Sequence, residues 1–244
     1  MDPDYVKHYR TLYENHWWWR AREEMLLQEL RRRLPNKPGL SILDVGCGDA
    51  LFFGRLGQFG DVEGVESTPE LVDPDGPYRS RITVGPFDAS FHSGKSHDLI
   101  LMLDVLEHLD APQQALRHGI SLLKPDGIIL ITVPAFRMIW TRHDELNNHR
   151  TRYTKQSFGQ LARFAGMRVI SSRYFFTWLF VAKLLTRMIE TLVPSDPAIP
   201  GIPSPLLNRI LYGISRAEEK LLGNRFVPFG SSLLVVGTGI SQGA

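Results

Sequence analysis

One cysteine in 244 residues, Cys47, leaves no internal disulfide to form, and no uncharged apolar run reaches the roughly 18 to 20 residues that span a bilayer. Charge of one sign is missing as well: 28 Lys and Arg stand against 26 Asp and Glu, a formal +2. The only compact basic run, Arg31 to Arg33, sits in a segment rich in Glu, Leu and Arg that reads as a solvated helix face, so no nucleic-acid partner is expected. The first ten residues, MDPDYVKHYR, carry no apolar signal region; with the lone cysteine, this makes the cytoplasm the expected compartment. Internal repeats and low-complexity tracts are absent too. What remains is an ordinary globular composition, 43% hydrophobic and 22% charged, long enough for one large α/β domain with insertions.

Short apolar runs alternate with helical patterns along the chain: SILDV, VEGV, RITV, DLILML, GIILITV, MRVISSRYF and SSLLVVGT. Several are continuous rather than alternating, as in strands buried on both faces, and helix-like segments separate the first five, which predicts a doubly wound parallel sheet. The spacing widens after the fifth and sixth runs. Residues 135–166 and 176–230 read as insertions large enough to carry a substrate site, the second containing a proline-rich connector, PSDPAIPGIPSPL, over 194–206. The expected organisation is a single domain over 1–244, with an N-terminal helical segment over 1–35 and a helical lid or interface insertion over 176–230.

In ILDVGCGDA, residues 42–50, an apolar run stops at an acid and then excludes side chains twice in three residues. SILDV reads as a strand, GCGD as the turn at its carboxyl end and ALFFGRLGQF as the following helix, which places Gly46 and Gly48 where open α/β sheets bind ligands. A dinucleotide turn needs a third glycine three residues after the second, and that position is Leu51, which disfavours NAD or FAD. Asp44 would repel a diphosphate but suits a cofactor without one, fixing the turn or holding an ammonium group. Glu66 ends the second strand twenty residues after Gly46, where a carboxylate reaches both hydroxyls of a ribose. In VGPFDASF, Asp88 can accept from an adenine amino group, and Phe87 can pack on the base or simply in the core. The fourth strand runs into LDVLEHLD, which brings Asp104, Glu107 and His108 to the same rim.

LDVGCGDA, GVES, GPFDA, HDLILMLDVLEHL and LLKPDGIILITVP, taken together, resemble the class I methyltransferases that use S-adenosylmethionine, within them a bacterial type with Asp-x-x-Glu-His after strand four. The resemblance covers about residues 40–135 and, loosely, the last strand. It implies a Rossmann-like seven-stranded sheet in the order 3-2-1-4-5-7-6 with the last strand antiparallel, and S-adenosylmethionine as cofactor. It assigns Asp44, Gly46 and Gly48 to the methionine-side turn, Glu66 to the ribose and Asp88 to the adenine. Leu103 and Asp104 would form the wall beneath the sulfonium region. HWWWRAR, residues 16–22, is similar to an aromatic-rich helix that helps cover the cofactor in some members.

A sulfonium methyl is already a good electrophile, so such an enzyme mainly aligns the reactants and excludes water, with a base needed only if the acceptor loses a proton. The densest polar stretch, RHDELNNHRTRYT over 142–154, is the acceptor-site candidate. His143 and His149 join His108 as candidate catalytic groups, and Asp144, Arg150, Arg152 and Tyr153 as candidate substrate contacts; the plainer reading of this stretch is a solvated loop and helix cap. If the rim after strand four is helical, Asp104, Glu107 and His108 share one face and, with His143 or His149, have the makings of a divalent-metal site, although the reading without a metal is preferred. Residues 174–193, YFFTWLFVAKLLTRMIETLV, suit either an amphipathic lid on a membrane surface or, the favoured reading, a helix packed on the domain's own core or on a partner subunit. The expected function is methyl transfer to a small-molecule or lipid-linked acceptor, oxygen modestly favoured. The alternative from another class is a non-catalytic S-adenosylmethionine sensor or regulatory subunit.

Overall fold

The computed structural model describes residues 3–34, 39–192, 201–223 and 225–240. The chain forms two compact units, one of residues 1–36, 135–149 and 174–232, the other of residues 37–134, 150–173 and 233–244. Elements follow the order α1 (Pro3–Asn15), α2 (Trp17–Arg33), β1 (Leu40–Val45), α3 (Phe53–Leu56), β2 (Gly60–Glu66), β3 (Ile82–Val84), β4 (His97–Leu103), α4 (Pro112–Ser121), β5 (Leu123–Pro134), α5 (Arg142–Leu146), α6 (Lys155–Ala165), β6 (Met167–Phe175), α7 (Thr177–Leu192), α8 (Pro205–Leu222) and β7 (Ser232–Gly239), with short 3-10 turns between some of them. Of the proline-rich connector, residues 194–200 lie outside the described residues.

The seven strands form one sheet in the order β3-β2-β1-β4-β5-β7-β6. β1 runs parallel to β2 and β4, β2 to β3, and β4 to β5. β7 runs against both of its neighbours. Beside β5, the Thr238 hydroxyl donates to Gly127 O at 2.8 Å and Ala135 N to Ser231 O at 2.9 Å, so late β7 meets early β5. Beside β6, Ile240 N donates to Gly166 O at 3.0 Å and Ser231 N to Phe176 O at 3.1 Å, the same inversion. Ile42, Leu43, Leu99, Ile100, Ile129, Ile131 and Val236 are wholly buried, as continuous apolar runs between two covering layers require.

Three expected helices are altered, that between β3 and β4 being absent. The helix read over 50–59 shrinks to the four residues Phe53–Leu56, because Ala50 takes φ +55° and two glycines, Gly54 and Gly57, weaken the helical tendency of the residues around them. Between β2 and β3 there is no α-helix, only 3-10 turns at Pro69–Leu71 and Arg79–Arg81. Pro69, Pro74, Gly76 and Pro77 break any longer run there. By contrast α6 starts and stops on clear signals: the Thr154 hydroxyl accepts from Ser157 N, and Gly166 at φ +80° ends the helix and turns the chain into β6.

The unit that holds α1, α2, α5, α7 and α8 is built on aromatic rings. Trp17 is buried against Phe176 and Trp178, with ring centroids 6.3 and 5.2 Å apart, and Trp19 packs on Tyr9 and Tyr13 at 5.5 and 5.6 Å. Asn208 of α8 ties α1 to α2, accepting from Trp17 N and donating to Asn15 O, both at 2.8 Å. Of the segment 174–193, read as a helix on the domain's own core or on a partner subunit, Tyr174, Phe175 and Phe176 are buried and α7 is partly covered, with Trp178 and Phe180 packed on Trp17, Phe136 and Phe229.

Candidate active site

The turn after β1 is held by β2 rather than by side chains of its own. Gly46 N and Cys47 N both donate to Val65 O, at 2.8 and 3.3 Å, and Gly46 and Gly48 adopt φ +72° and +54°, which L side chains rarely adopt. A Cβ on Gly46 would lie 2.7 Å from Cγ2 of Val105, just past β4, so a protein side chain already fills the space that glycine leaves. Between the glycines, Cys47 is buried, and its thiol is pushed well above the usual range by burial and then by the charges of Asp44 and Glu66. It is a packed thiol, not a nucleophile.

Glu66 completes this corner. Its Oε2 accepts from Gly48 N at 2.9 Å and its Oε1 from Thr68 N at 2.8 Å, while the side chain is almost entirely buried. A carboxylate has about four acceptor positions, so backbone donors leave about two on Glu66, one for each hydroxyl of a diol. Asp44, also buried, stands beside Gly64 of β2 and Leu101 of β4 in the sheet register. The two acids and the unfilled acceptor capacity of Glu66 fit a nucleoside bearing an amino acid better than they fit a diphosphate.

Around the same sheet edge, Phe87 is half-buried against Phe91 and His118 at 5.4 and 5.0 Å. Asp88 is exposed; hydrogen bonds from the Ser90 hydroxyl and then from Ser90 N, at 2.6 and 2.8 Å, hold its carboxyl below the usual range. Leu103 ends β4 half-buried. Asp104 takes φ +58°, its N–H donating to Thr132 O at 2.9 Å and its Oδ1 accepting from the Thr132 hydroxyl at 3.1 Å. That left-handed residue and the three-residue 3-10 turn Leu106–His108 replace the helical rim, so Asp104, Glu107 and His108 do not lie along one helical face. Glu107 is fully buried.

Two residues expected to touch substrate are engaged with main chain in the turn after β4. Arg150 N donates to Glu107 O at 2.8 Å and its Nε to His108 O at 3.0 Å, and its guanidinium pairs with Asp110 at 2.6 Å. The Tyr153 hydroxyl donates to Leu106 O at 3.3 Å, and the side chain is buried against Phe158; burial and the charge of Glu107 push its ionisation above the usual range. Arg152 is buried as well. Three consecutive carbonyls, 106 to 108, are thus strapped by residues 150 and 153.

The polar stretch 142–154 divides at His149, whose preceding residues belong to the other unit. There Asp144 is fully buried, its Oδ2 accepting from Thr141 N and hydroxyl at 2.9 and 3.4 Å, which caps α5. Its Oδ1 lies 2.8 Å from Nδ1 of His149, a ring with 12% of its side chain exposed. His143 is half-buried, with the Asn147 amide 3.2 Å from its Nε2 and donating to its carbonyl at 2.7 Å. Sequence reading missed Val105, Thr132 and Thr68, which present only ordinary side chains. It also passed over Thr141, although Thr-x-x-Asp before a short helix is a capping signal.

A family model described as a methyltransferase domain matches residues 18–172. The mitochondrial ubiquinone biosynthesis O-methyltransferase of Saccharomyces cerevisiae is 27% identical over 115 residues, 43% of this chain and 37% of that protein. The chain spans half or less of the length of the curated relatives it matches. Among solved structures, a TehB-like SAM-dependent methyltransferase from Corynebacterium glutamicum superposes with a TM-score of 0.56 at 19% identity over 98% of this chain and 100% of that one. A S-adenosylmethionine-dependent methyltransferase from Clostridium acetobutylicum gives 0.55 at 10% identity, over 90% and 91%. At such identities the likeness is one of fold.

Proposed function

The chain belongs to the methyltransferase-domain family, and we propose that it is an S-adenosylmethionine-dependent enzyme that methylates a hydroxyl oxygen of a small-molecule or lipid-linked acceptor. The observation that carries the choice of oxygen is the Asp144–His149 contact of 2.8 Å. A buried carboxylate on Nδ1 fixes the imidazole tautomer and leaves Nε2 as a proton acceptor, the group that a hydroxyl needs when its oxygen is alkylated. The relatives named as O-methyltransferases, at low identity and partial coverage, point the same way.

When bound, the cofactor supplies an electrophilic methyl group. In this reading Glu66 accepts from the ribose hydroxyls with the capacity that Gly48 and Thr68 leave, Asp44 holds the ammonium group, and Gly46 and Gly48, at positive φ, shape the turn that faces the methionine portion. Asp88 accepts from the adenine amino group, Phe87 packs on the base, and Leu103 and Asp104 wall the sulfonium side. Arg150 and Tyr153 act through the main chain they strap, keeping the turn that carries His108 in place, and Arg152 and His143 belong to the acceptor side.

His149→Ala is expected to lower kcat by about a hundredfold or more with S-adenosylhomocysteine affinity unchanged within a few fold, because proton transfer acts at the transition state. Asp144→Asn should move kcat in the same direction, and His143→Ala tests the second imidazole alongside it. A panel of phenols and alcohols against matched amines supplies the acceptors. Full activity in His149→Ala, or turnover of amines alone, would overturn the assignment.

A further inference from the structure

Helices α7 and α8 each carry an exposed apolar face. On α7 the exposed apolar residues are Val181, Leu185, Met188, Ile189 and Leu192, spaced i, i+4, i+7, i+8 and i+11 on a single face, from 50% exposed at Val181 to 80% at Leu192. On α8 they are Leu206, Leu207, Ile210, Ile214 and Leu221, again one face. The covered sides are mixed: Trp178 packs on Trp17 at 5.2 Å and Phe180 on Phe136 and Phe229 at 5.5 and 5.2 Å, beside polar contacts. Glu190 accepts from Arg142 N at 3.2 Å, Glu218 accepts from Thr177 and Trp178, and Ser215, the buried residue of α8, accepts from the Trp178 indole at 3.2 Å.

The exposed charges have one sign. Within α7 and α8 the exposed charged residues are Arg187, which donates to Trp140 O at 2.6 Å, and Arg209 and Lys220, whereas Glu190, Glu218 and Glu219, like Lys183 and Arg216, are partly covered. Just beyond α8, Arg225 and Phe226 repeat the pairing of a cation with an exposed apolar side chain. A two-fold contact between copies would set this face against itself, with cations on both sides and no exposed acid of these helices to meet them. An anionic bilayer supplies both missing halves, an apolar phase for the leucines and isoleucines and negative headgroups for Arg209 and Lys220. Among the described residues no helix is long and apolar enough to cross a membrane, which leaves docking on the surface.

We infer that the outward faces of α7 and α8 dock this protein on an anionic lipid surface, with their apolar residues in the headgroup boundary and Arg209 and Lys220 on the headgroups. This docking does not depend on which atom the enzyme methylates.

The test is co-sedimentation of the full chain with phosphatidylcholine vesicles, with and without phosphatidylglycerol. Binding to the anionic vesicles should be at least about tenfold tighter, since each cation near such a surface contributes roughly fivefold, and salt should weaken it. Leu185→Glu with Ile189→Glu, or Ile210→Glu with Ile214→Glu, should reduce binding to both vesicle types by about tenfold or more. Arg209→Glu with Lys220→Glu, on solvated side chains that do not carry the fold, should abolish the preference for phosphatidylglycerol. Circular dichroism confirms that each variant is folded. Failure of the wild-type chain to bind either vesicle, binding that survives the apolar-to-Glu changes, or a dimer in analytical ultracentrifugation that those changes dissociate, would each overturn the inference.

Discussion

Two backbone N–H groups, from Gly48 and Thr68, converge on the Glu66 carboxylate, so this one side chain both shapes the turn and offers its remaining acceptor positions outward. The two duties separate by substitution. Glu66→Ala removes the hydrogen bonds to a ribose and orphans two donors, so S-adenosylhomocysteine affinity should fall at least tenfold and stability by about 1–3 kcal/mol for each N–H left buried. Glu66→Gln, which keeps one acceptor oxygen, should restore part of the stability but little of the affinity. Titration calorimetry beside thermal melts reads both, and unchanged affinity in a folded Ala variant would remove Glu66 from the ribose. Gly46→Val should lower stability before any ligand is added, because its Cβ meets Val105 at 2.7 Å and its φ of +72° strains a β-branched residue. That origin for the glycine differs from the one the sequence suggests. Two glycines in three residues announce a close approach, but not that Val105, far along the chain just past β4, is what approaches.

At the scale of the element, the N-terminus of α7 is capped by a residue of α8. Glu218 accepts from Thr177 N at 2.8 Å, the Thr177 hydroxyl at 2.6 Å and Trp178 N at 3.1 Å, placing a carboxylate against the positive end of the helix dipole. Glu218→Ala should therefore cost about 1–3 kcal/mol in urea unfolding, although Glu218 sits on a helix surface and looks dispensable in sequence. A change within a few tenths of a kcal/mol would mean that α7 holds its start without α8. The same two helices mark a limit of reading by pattern. Periodicity over 174–193 picks out an apolar stripe, but it cannot say which apolar residues face inward. The usual rule sends apolar residues to the core; here Trp178 and Phe180 of α7 are covered by Trp17, Phe136 and Phe229, whereas Val181, Leu185 and Ile189 stay exposed. Helix length fails for a related reason: ALFFGRLGQF has the apolar spacing of a helix, yet Gly54, Gly57 and the positive φ of Ala50 confine it to four residues.

On the scale of the whole molecule, the central strands were legible because a sheet buried on both faces writes uninterrupted apolar runs, and all seven runs became strands, the edge strands β3 and β6 being partly exposed. Their order, with β7 reversed between β5 and β6, came with the family resemblance and not from the runs themselves. Contiguity was the weaker guide, since residues 142–154 look like one polar cluster and are shared between two units. What pattern could not announce at all is His97, which opens β4 fully buried, with Nδ1 3.1 Å from the Ser41 hydroxyl, Nε2 3.0 Å from the Ser93 hydroxyl and 3.4 Å from Glu63. Burial lowers its pKa below the ordinary 6.5, outweighing the attraction of Glu63, so the fold prefers the neutral ring while the unfolded chain protonates normally. The stability this contributes is complete above pH 6.5 and is lost as the pH falls from there toward the lower folded-state value, at no more than about 1.4 kcal/mol per pH unit. In the other unit His16 adds to the same trend. Burial lowers its pKa too, and its Nδ1 caps α2 by accepting from Trp18 N at 3.2 Å, which a protonated ring cannot do. Thermal melts between pH 7 and pH 5 should show the midpoint falling, and His97→Asn, though less stable at pH 7, should fall less steeply. Parallel slopes for the wild type and His97→Asn would show that the buried imidazole is not what makes the fold acid-sensitive.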